Sequence, residues 1–233
     1  TNKMLSVKEV RKMNNIKQIE VIYDNRLVGR LALTKEGLCA FEYSAEWISS
    51  GFSISPFELP MRSGVFIAKP RPFEGGFGVF DDCLPDGWGL LILDRYLQQK
   101  GINPRTLTLL DRLVLVGSTG RGALEFRPDN SVTTRQDYVD FEKLALEAEQ
   151  ILDSDDYTGE GIEEFQDRGG SPGGARPKIF VCYDNKEWLV KFRAKRDPQS
   201  IGIDEYRYSL LAKQCGIEMP ETKLFEDKYF GVE

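Results

Sequence analysis

The chain has 233 residues, of which 41% are hydrophobic and 29% are charged, a composition typical of globular proteins and a length sufficient for one large domain or two small ones. Its formal net charge of −6 argues against direct DNA binding, because nucleic-acid-binding chains usually carry a basic balance or a basic face. The absence of histidine and the wide spacing of the four cysteines exclude a zinc site and fit a reducing compartment; the cysteines are Cys39, Cys83, Cys182 and Cys215.

The chain is predicted to begin with a flexible N-terminus and a small antiparallel sheet. Residues 1–18 lack the apolar segment of a secretion signal, and no apolar stretch in the sequence approaches the ~20 residues needed to cross a bilayer. We therefore expect a cytoplasmic protein. Alternating apolar residues predict strands over 19–23, 27–33 and 38–43, with a tight turn at Asp24-Asn25.

Three helices are predicted after a loop rich in proline and glycine. The motif Pro85-Asp86-Gly87 introduces the first, in which apolar residues recur at helical spacing from Trp88 to Tyr96. The same spacing predicts helices over residues 106–116 and 137–152. We assign residues 19–152 to one N-terminal subdomain.

The remaining chain is predicted to contain a connector and a second subdomain. Residues 153–168 are acidic and poor in large apolar side chains, which favours a mobile connector. Residues 169–233 form the second subdomain, which begins with a glycine-rich run. Its predicted elements are strands over 179–183 and 187–192, a helix over 203–215, and strands over 222–225 and 229–232.

The glycine-rich run, GGSPGGARPK over residues 169–178, is the most informative segment. Glycine lets backbone N–H groups approach a phosphate closely, because no Cβ intervenes. The run is not a Walker A motif, since no Gly-Lys-Ser/Thr closes it. Its composition also suits a flexible linker, but it leads directly into a strong strand. We therefore predict that Gly173, Gly174, Ala175 and Lys178 contact nucleotide phosphates.

Two further residues complete a kinase-type pattern. In kinases a strand lysine holds the phosphates, and a glutamate on the following helix holds that lysine. Lys191 and Glu205 are the candidates here. The simpler alternatives are an exposed strand lysine and an acid that only stabilises a helix N-terminus. The basic residues that follow the strand suit either a local basic patch or a solvated strand end; they are Arg193, Lys195 and Arg196.

Three segments of the sequence resemble the HipA-like toxin kinases of bacterial toxin–antitoxin systems. Residues 171–178 (SPGGARPK) resemble the family's S-x-x-G-A-x-x-K loop, and residues 204–220 resemble its helix and the exit toward G-(I/L)-x-x-P. Residues 80–88 (FDDCLPDGW) resemble its F-x-N-L-L-P-(D/E)-G/S turn. The likeness extends from about Ile19 to the last residue. The fold class expected is α+β, with an N-terminal antiparallel β subdomain carrying helices and then a kinase N-lobe-like unit of hairpin, helix and hairpin.

The resemblance implies a serine/threonine protein kinase that uses ATP and magnesium. Ser171 would be a self-phosphorylation site, and its phosphate would eject the glycine loop and switch the enzyme off. The implied partner is a HipB-like helix-turn-helix antitoxin, through which DNA is contacted only indirectly; no membrane and no particular protein substrate is implied. The loop departs from the family at Arg176-Pro177, where Pro177 removes a backbone donor, and the turn departs at Cys83.

The sequence lacks the catalytic residues of a kinase. None of its seven asparagines follows an aspartate by five positions, and it contains neither D-F-G nor histidine. We therefore expect these residues alone not to transfer phosphate, with no catalytic residue or metal ligand in the chain and the magnesium ligands outside it. The chain is expected to be a fragment or a natural half of a kinase.

The alternative to a nucleotide-binding role is a non-catalytic module in which residues 19–152 dock a repressor-like partner. An unrelated small-molecule nucleotide transferase is disfavoured by the order of loop, lysine strand and helix acid.

Overall fold

The computed structural model describes residues 16–120, 122–131, 139–154, 157, 159, 161–169 and 173–233. Contacts divide the chain into two compact units, Thr1–Pro85 with Lys100–Val132, and Asp86–Gln99 with Thr133–Glu233. The elements in chain order are β1 (Gln18–Tyr23), β2 (Arg26–Leu33), β3 (Cys39–Tyr43), α1 (Ala45–Ser50), β4 (Phe66–Ile67), α2 (Gly78–Asp81), α3 (Gly87–Gln99), a 3-10 turn (Pro104–Thr106), α4 (Leu109–Val116), β5 (Glu125–Arg127), α5 (Phe141–Asp153), α6 (Gly161–Gly169), β6 (Lys178–Tyr183), β7 (Lys186–Lys191), α7 (Ile201–Gln214), β8 (Thr222–Phe225) and β9 (Tyr229–Val232).

The first unit is built on an antiparallel sheet with strand order β4-β3-β2-β1-β5. The predicted turn between β1 and β2 is confirmed: Asp24 and Asn25 have φ values of 46° and 58°, the left-handed pair that matches the twist of a tight hairpin. Alternation along the strands buries one face of this sheet. Its fully buried side chains include Val21, Leu31 and Phe41.

Helix α4 begins later than the sequence periodicity predicts. The Thr108 side chain accepts a hydrogen bond from the Asp111 amide, and the Asp111 carboxylate accepts one from the Thr108 amide. This capping box fixes the first turn of the helix. The predicted start at residue 106 is therefore wrong, because residues 104–106 form a separate 3-10 turn.

The second unit contains an antiparallel sheet with strand order β6-β7-β9-β8. The strands and helix predicted for residues 179–232 are confirmed, with bounds that shift by at most two residues. One face of the sheet shares a buried core with helices α3, α5 and α6. Both α3 and α5 therefore belong to this unit, although the sequence interpretation places them within residues 19–152. The aromatic members of that core are Trp88, Tyr96, Phe141, Phe165, Trp188, Phe192, Phe225 and Tyr229.

The interpretation of residues 153–168 as a connector misses helix α6. Ile162 and Phe165 on this helix are fully buried, and the Phe165 ring lies edge-on to Trp88 with centroids 5.0 Å apart. Arg168 is also buried and forms an ion pair with Glu164 at 3.3 Å. Only two large apolar residues mark the buried face, so the acidic residues around them hide the helical pattern.

None of the helices in the described part of the chain combines the length and apolar character that crossing a bilayer requires.

Replacing Phe165 by alanine tests the core of the second unit. We expect the free energy of unfolding to fall by about 3–5 kcal/mol, because a fully buried aromatic ring is removed and a cavity remains. Tyr208, which is 72% exposed on α7, is the control, and its alanine variant should stay within about 0.5 kcal/mol of the wild type. Urea denaturation monitored by tryptophan fluorescence gives both values. Equal losses for the two variants would contradict the placement of α6 in the core.

Thiol reactivity tests burial in both units. All four cysteines are free; burial raises the pKa values of Cys39 and Cys83 to about 11, and the charge of Asp82 contributes at Cys83. At pH 8 such a thiol is ionised to roughly one part in a thousand, and the thiolate is the reactive species. We expect iodoacetamide to modify the exposed Cys182 and Cys215 first, and the other two only after unfolding. Peptide mass spectrometry over a time course reads this out, and early labelling of Cys39 would contradict the fold.

Candidate anion-binding site

Two lysines face each other across the hairpin of the second unit. The register of β6 and β7 pairs Lys178 with Lys191 and, one step along, Ile179 with Val190. Since Ile179 and Val190 belong to the core, both lysines lie on the opposite face of the sheet. Directly opposed residues in such a pair have Cβ atoms about 4.5–5.5 Å apart. The sheet therefore brings two positive charges together.

Lys178 is the more buried of the two, with only 6% of its surface exposed. Burial lowers the pKa of Lys178, and the neighbouring charges of Lys191 and Arg176 lower it further. Asp86 and Glu205 act in the opposite direction. The environment thus penalises the positive charge of Lys178.

The predicted contact between Lys191 and Glu205 is present. The Lys191 Nζ lies 2.8 Å from the Glu205 Oε2, and both side chains are partly exposed. Glu205 also approaches Arg176, with 3.6 Å between Oε1 and Nη1. Asp204, not Glu205, is the acidic residue of the first helical turn. The interpretation of Glu205 as only a helix N-terminal acid is therefore not needed to explain its position.

The glycine loop is clasped by the start of α3. The Gly174 amide donates to the Asp86 Oδ1 at 2.8 Å, and the Trp88 amide donates to the Gly174 carbonyl at 3.0 Å. Gly87 permits this close approach: its φ is 44°, and a Cβ there would lie 2.6 Å from the Gly174 oxygen. Lys178 Nζ donates to the carbonyl of Gly173. The loop is thus held by the start of α3, which is distant in sequence, and by the nearby Lys178.

Arg176 anchors the end of the loop. Its guanidinium forms two parallel hydrogen bonds with Asp197, at 2.8 Å and 2.9 Å, a bidentate geometry that is strong for this pair. These bonds hold the pKa of Asp197 below its ordinary value. The next residue, Pro177, accepts a hydrogen bond from the Phe192 amide at 2.8 Å, so its carbonyl extends the β6–β7 pairing. The departure from the family pattern at Arg176 therefore has a structural use, since its side chain forms the bonds to Asp197.

The predicted site residues differ in how the structure places them. Gly173, Gly174, Lys178, Lys191 and Glu205 belong to one cluster of contacts. Ala175 lies in the exposed turn of the loop, where its amide nitrogen would be 3.0 Å from a Cβ on Gly87. Ser171, the predicted self-phosphorylation site, lies outside the described residues.

Sequence reasoning missed Asp86, Arg176 and Asp197 as members of the site. Asp86 had a visible signal in the Pro85-Asp86-Gly87 motif, but a helix start explains that motif equally well. Its role depends on a contact across 88 positions of sequence, which no local pattern encodes. Asp197 follows a strand without any motif of its own.

The chemistry of the cluster suits an anion more than a metal. The Gly174 amide and three cationic side chains belong to it, and each of these donors also contacts an internal acceptor; the side chains are those of Arg176, Lys178 and Lys191. In the part of the chain that the structure describes, no three of the side chains His, Cys, Asp and Glu are grouped to hold a metal ion. A cavity of about 160 Å³ lies beside the cluster, and Lys191, Lys228 and Tyr229 contribute to its wall.

Two domain models of one protein family match this chain, one in its N-terminal part and one in its C-terminal part. Residues 19–127 match the sequence model of the HipA N-terminal domain, and residues 170–233 match that of the HipA-like C-terminal domain. A search of curated protein sequences finds no match.

A solved structure shares the fold. It is the complex of HipA, HipB and operator DNA from the toxin–antitoxin system of Shewanella oneidensis MR-1, and its similarity to this chain has a TM-score of 0.57 at 20% sequence identity. The match covers 92% of this chain and 50% of the solved one, so the chain spans about half the length of that relative. With its α+β fold and its two domain matches, the chain belongs to the HipA-like family.

Proposed function

We propose that this chain is the ATP-phosphate-binding part of a HipA-like serine/threonine protein kinase from a toxin–antitoxin system. The observation that carries the proposal is the buried Lys178 directly opposite Lys191 on one face of the β6–β7 hairpin. Family membership supports it, since the glycine loop and both lysines lie in the segment that matches the HipA-like C-terminal domain.

The lysine pair remains costly although Glu205 and Asp86 lie near it, because the pKa of Lys178 is still lowered. Like charges directly across a β ladder destabilise the sheet, and burial further disfavours the charged form of a lysine. The lowered pKa of Lys178 reflects both effects. A phosphate group placed between the loop and the two ammonium groups would relieve both penalties, because it supplies negative charge and strong acceptor oxygens.

Each residue has a distinct part in this proposal. Lys191 would contact the phosphates as the strand lysine of kinases does, and Glu205 would orient it from α7. Lys178 and the amides of Gly173 and Gly174 would hold a second phosphate group. These roles require the loop contacts described above to open when the nucleotide enters.

Phosphoryl transfer belongs to a larger protein in this proposal. The chain spans about half of the solved relative and contains no D-x-x-x-x-N motif, so neither a catalytic base nor a protein substrate is assigned to it. The carboxylates near the loop are engaged with cations or an amide, and the described residues include no metal-binding group. We therefore propose that the magnesium ligands lie in another part of the complete enzyme, and that Ser171 is modified only by that enzyme.

A nucleotide titration tests the proposal. We expect Lys178→Met and Lys191→Met each to weaken binding of a fluorescent ATP analogue by about 10–100-fold, because each removes a charged hydrogen-bond donor. The control is Lys195→Met, which removes an exposed lysine paired with Asp153 and should leave affinity unchanged. Binding only by a longer chain, one that also includes the second lobe of the kinase fold with the catalytic residues, would show that this lobe completes the site. No binding by either chain would overturn the proposal.

A second role, docking of a helix-turn-helix antitoxin, is favoured by the solved relative, which was determined with HipB and its operator DNA. We expect the full chain to retain a tagged helix-turn-helix protein encoded beside it, and the Lys191→Met variant to retain it equally well. Equal retention separates partner binding from nucleotide binding. Loss of retention in that variant would indicate that the two functions share one surface, and absence of retention by the wild type would contradict docking by this chain.

A further inference from the structure

We propose that the Asp86 carboxylate is an internal substitute for a phosphate group. It is bound to the glycine loop until a nucleotide phosphate displaces it. The inference rests on the proposed nucleotide-binding function and adds a residue that sets the affinity of that site. Its basis is the clasp between the start of α3 and Gly174.

The Asp86 carboxylate bonds to the loop, although it immediately precedes a helix. An acidic residue in that position commonly accepts hydrogen bonds from the first amides of its own helix. Here the Asp86 Oδ1 accepts from the Gly174 amide at 2.8 Å, and the Gly174 carbonyl accepts from the Trp88 amide at 3.0 Å. Loop and helix satisfy each other's free backbone groups. The carboxylate is therefore available to the loop and not required for the amide of Trp88.

The chemistry of this contact matches the one expected of a ligand. A carboxylate and a phosphate both offer negatively charged oxygens to backbone amides, and glycine-loop amides are typical phosphate donors. Asp86 also acts on the second phosphate-binding candidate, because its charge favours the protonated form of Lys178. One carboxylate thus contacts the loop amide and stabilises the neighbouring ammonium, which are the two tasks proposed for a phosphate.

The Gly174 amide cannot bond to the carboxylate and to a phosphate at the same time. Its one N–H already donates to the Asp86 Oδ1 at 2.8 Å, and a Cβ on Gly87 would lie 2.6 Å from the Gly174 oxygen, so the loop packs tightly against the start of α3. An anion can reach the Gly174 amide only if the Asp86 side chain rotates away or the loop leaves α3. Either movement breaks the hydrogen bond to Asp86, so binding of phosphate and binding of Asp86 exclude each other.

The affinity of nucleotide is therefore reduced by the stability of the internal contact. A ligand that must displace a competing group binds only the fraction of molecules in which that group has left. Its apparent affinity is reduced by this fraction. Removal of the Asp86 charge weakens the competitor while the amide and the lysines remain. The opposite effect is expected if Asp86 only holds the loop in a conformation that is ready for phosphate.

The test compares Asp86→Asn with the wild type and with Asp184→Asn. Asparagine keeps the size of Asp86 and loses its charge, and Asp184 lies in the β6–β7 turn with a φ of 52°, which asparagine also adopts. The probe is a fluorescent ATP analogue in the presence of magnesium ions, with inorganic tripolyphosphate as competitor. We expect Asp86→Asn to bind both about 10-fold more tightly, and Asp184→Asn to match the wild type.

Hydrogen exchange provides a readout that needs no ligand. Without nucleotide, the peptide that contains residues 173–177 should exchange faster in Asp86→Asn than in the wild type, and at the wild-type rate in Asp184→Asn. Unchanged exchange, or equal or weaker binding by Asp86→Asn, overturns the inference while the nucleotide site stands. Absence of binding by the wild type and Asp86→Asn, in this chain and in one that includes the second lobe, overturns the proposed function itself.

Discussion

The pairing of β6 with β7 is the constraint on which the site depends. It places Lys178 opposite Lys191, and the alternation of the strands sends both side chains away from the core. A slip of one residue would turn Lys191 into the core and Val190 out of it. The aromatic core on the other face, which includes Trp188 and Phe192, makes that slip expensive. Burial of the apolar face thus fixes the geometry of the charged face.

The helices that complete this core come from three separate stretches of the chain. Helix α3 precedes the rest of its unit by more than 30 residues. It supplies Trp88 to the core, and Asp86, the residue just before it, contacts the loop. The edge-on contact of Trp88 with Phe165 connects it to α6. The packing of the start of α3 therefore also determines the position of the glycine loop, because Asp86 and Trp88 both form hydrogen bonds with Gly174.

Local chemistry explains which parts of the structure are predictable from sequence. The hairpin turns at Asp24-Asn25 and Asp184-Asn185 combine residues that tolerate positive φ with flanking apolar alternation. The first occurs where predicted, and the second lies between the strands predicted over 179–183 and 187–192. The contact of Lys191 with Glu205 is predictable from the kinase-type order of a strand lysine followed by a helix with a glutamate. Helix α6 and the membership of α3 in the second unit are different, because they depend on packing partners remote in sequence. The hydrogen bond from the Gly174 amide to Asp86 also joins residues that are remote in sequence, so no local sequence pattern predicts it.

The charge balance of the site bears on its selectivity. Arg176, Lys178 and Lys191 lie among the carboxylates of Asp86, Asp197 and Glu205, so the internal cations are matched by internal anions. A surface with a large excess of positive charge attracts nucleic acids and other polyanions without selection. In a balanced cluster, an entering polyphosphate must replace the internal carboxylates as partners of the cations. Its net binding free energy is therefore smaller than its interactions with the cations alone would give. Under the proposed function this favours a nucleotide that arrives with its own magnesium ion over bare phosphate groups, because the metal offsets the charge that the protein does not.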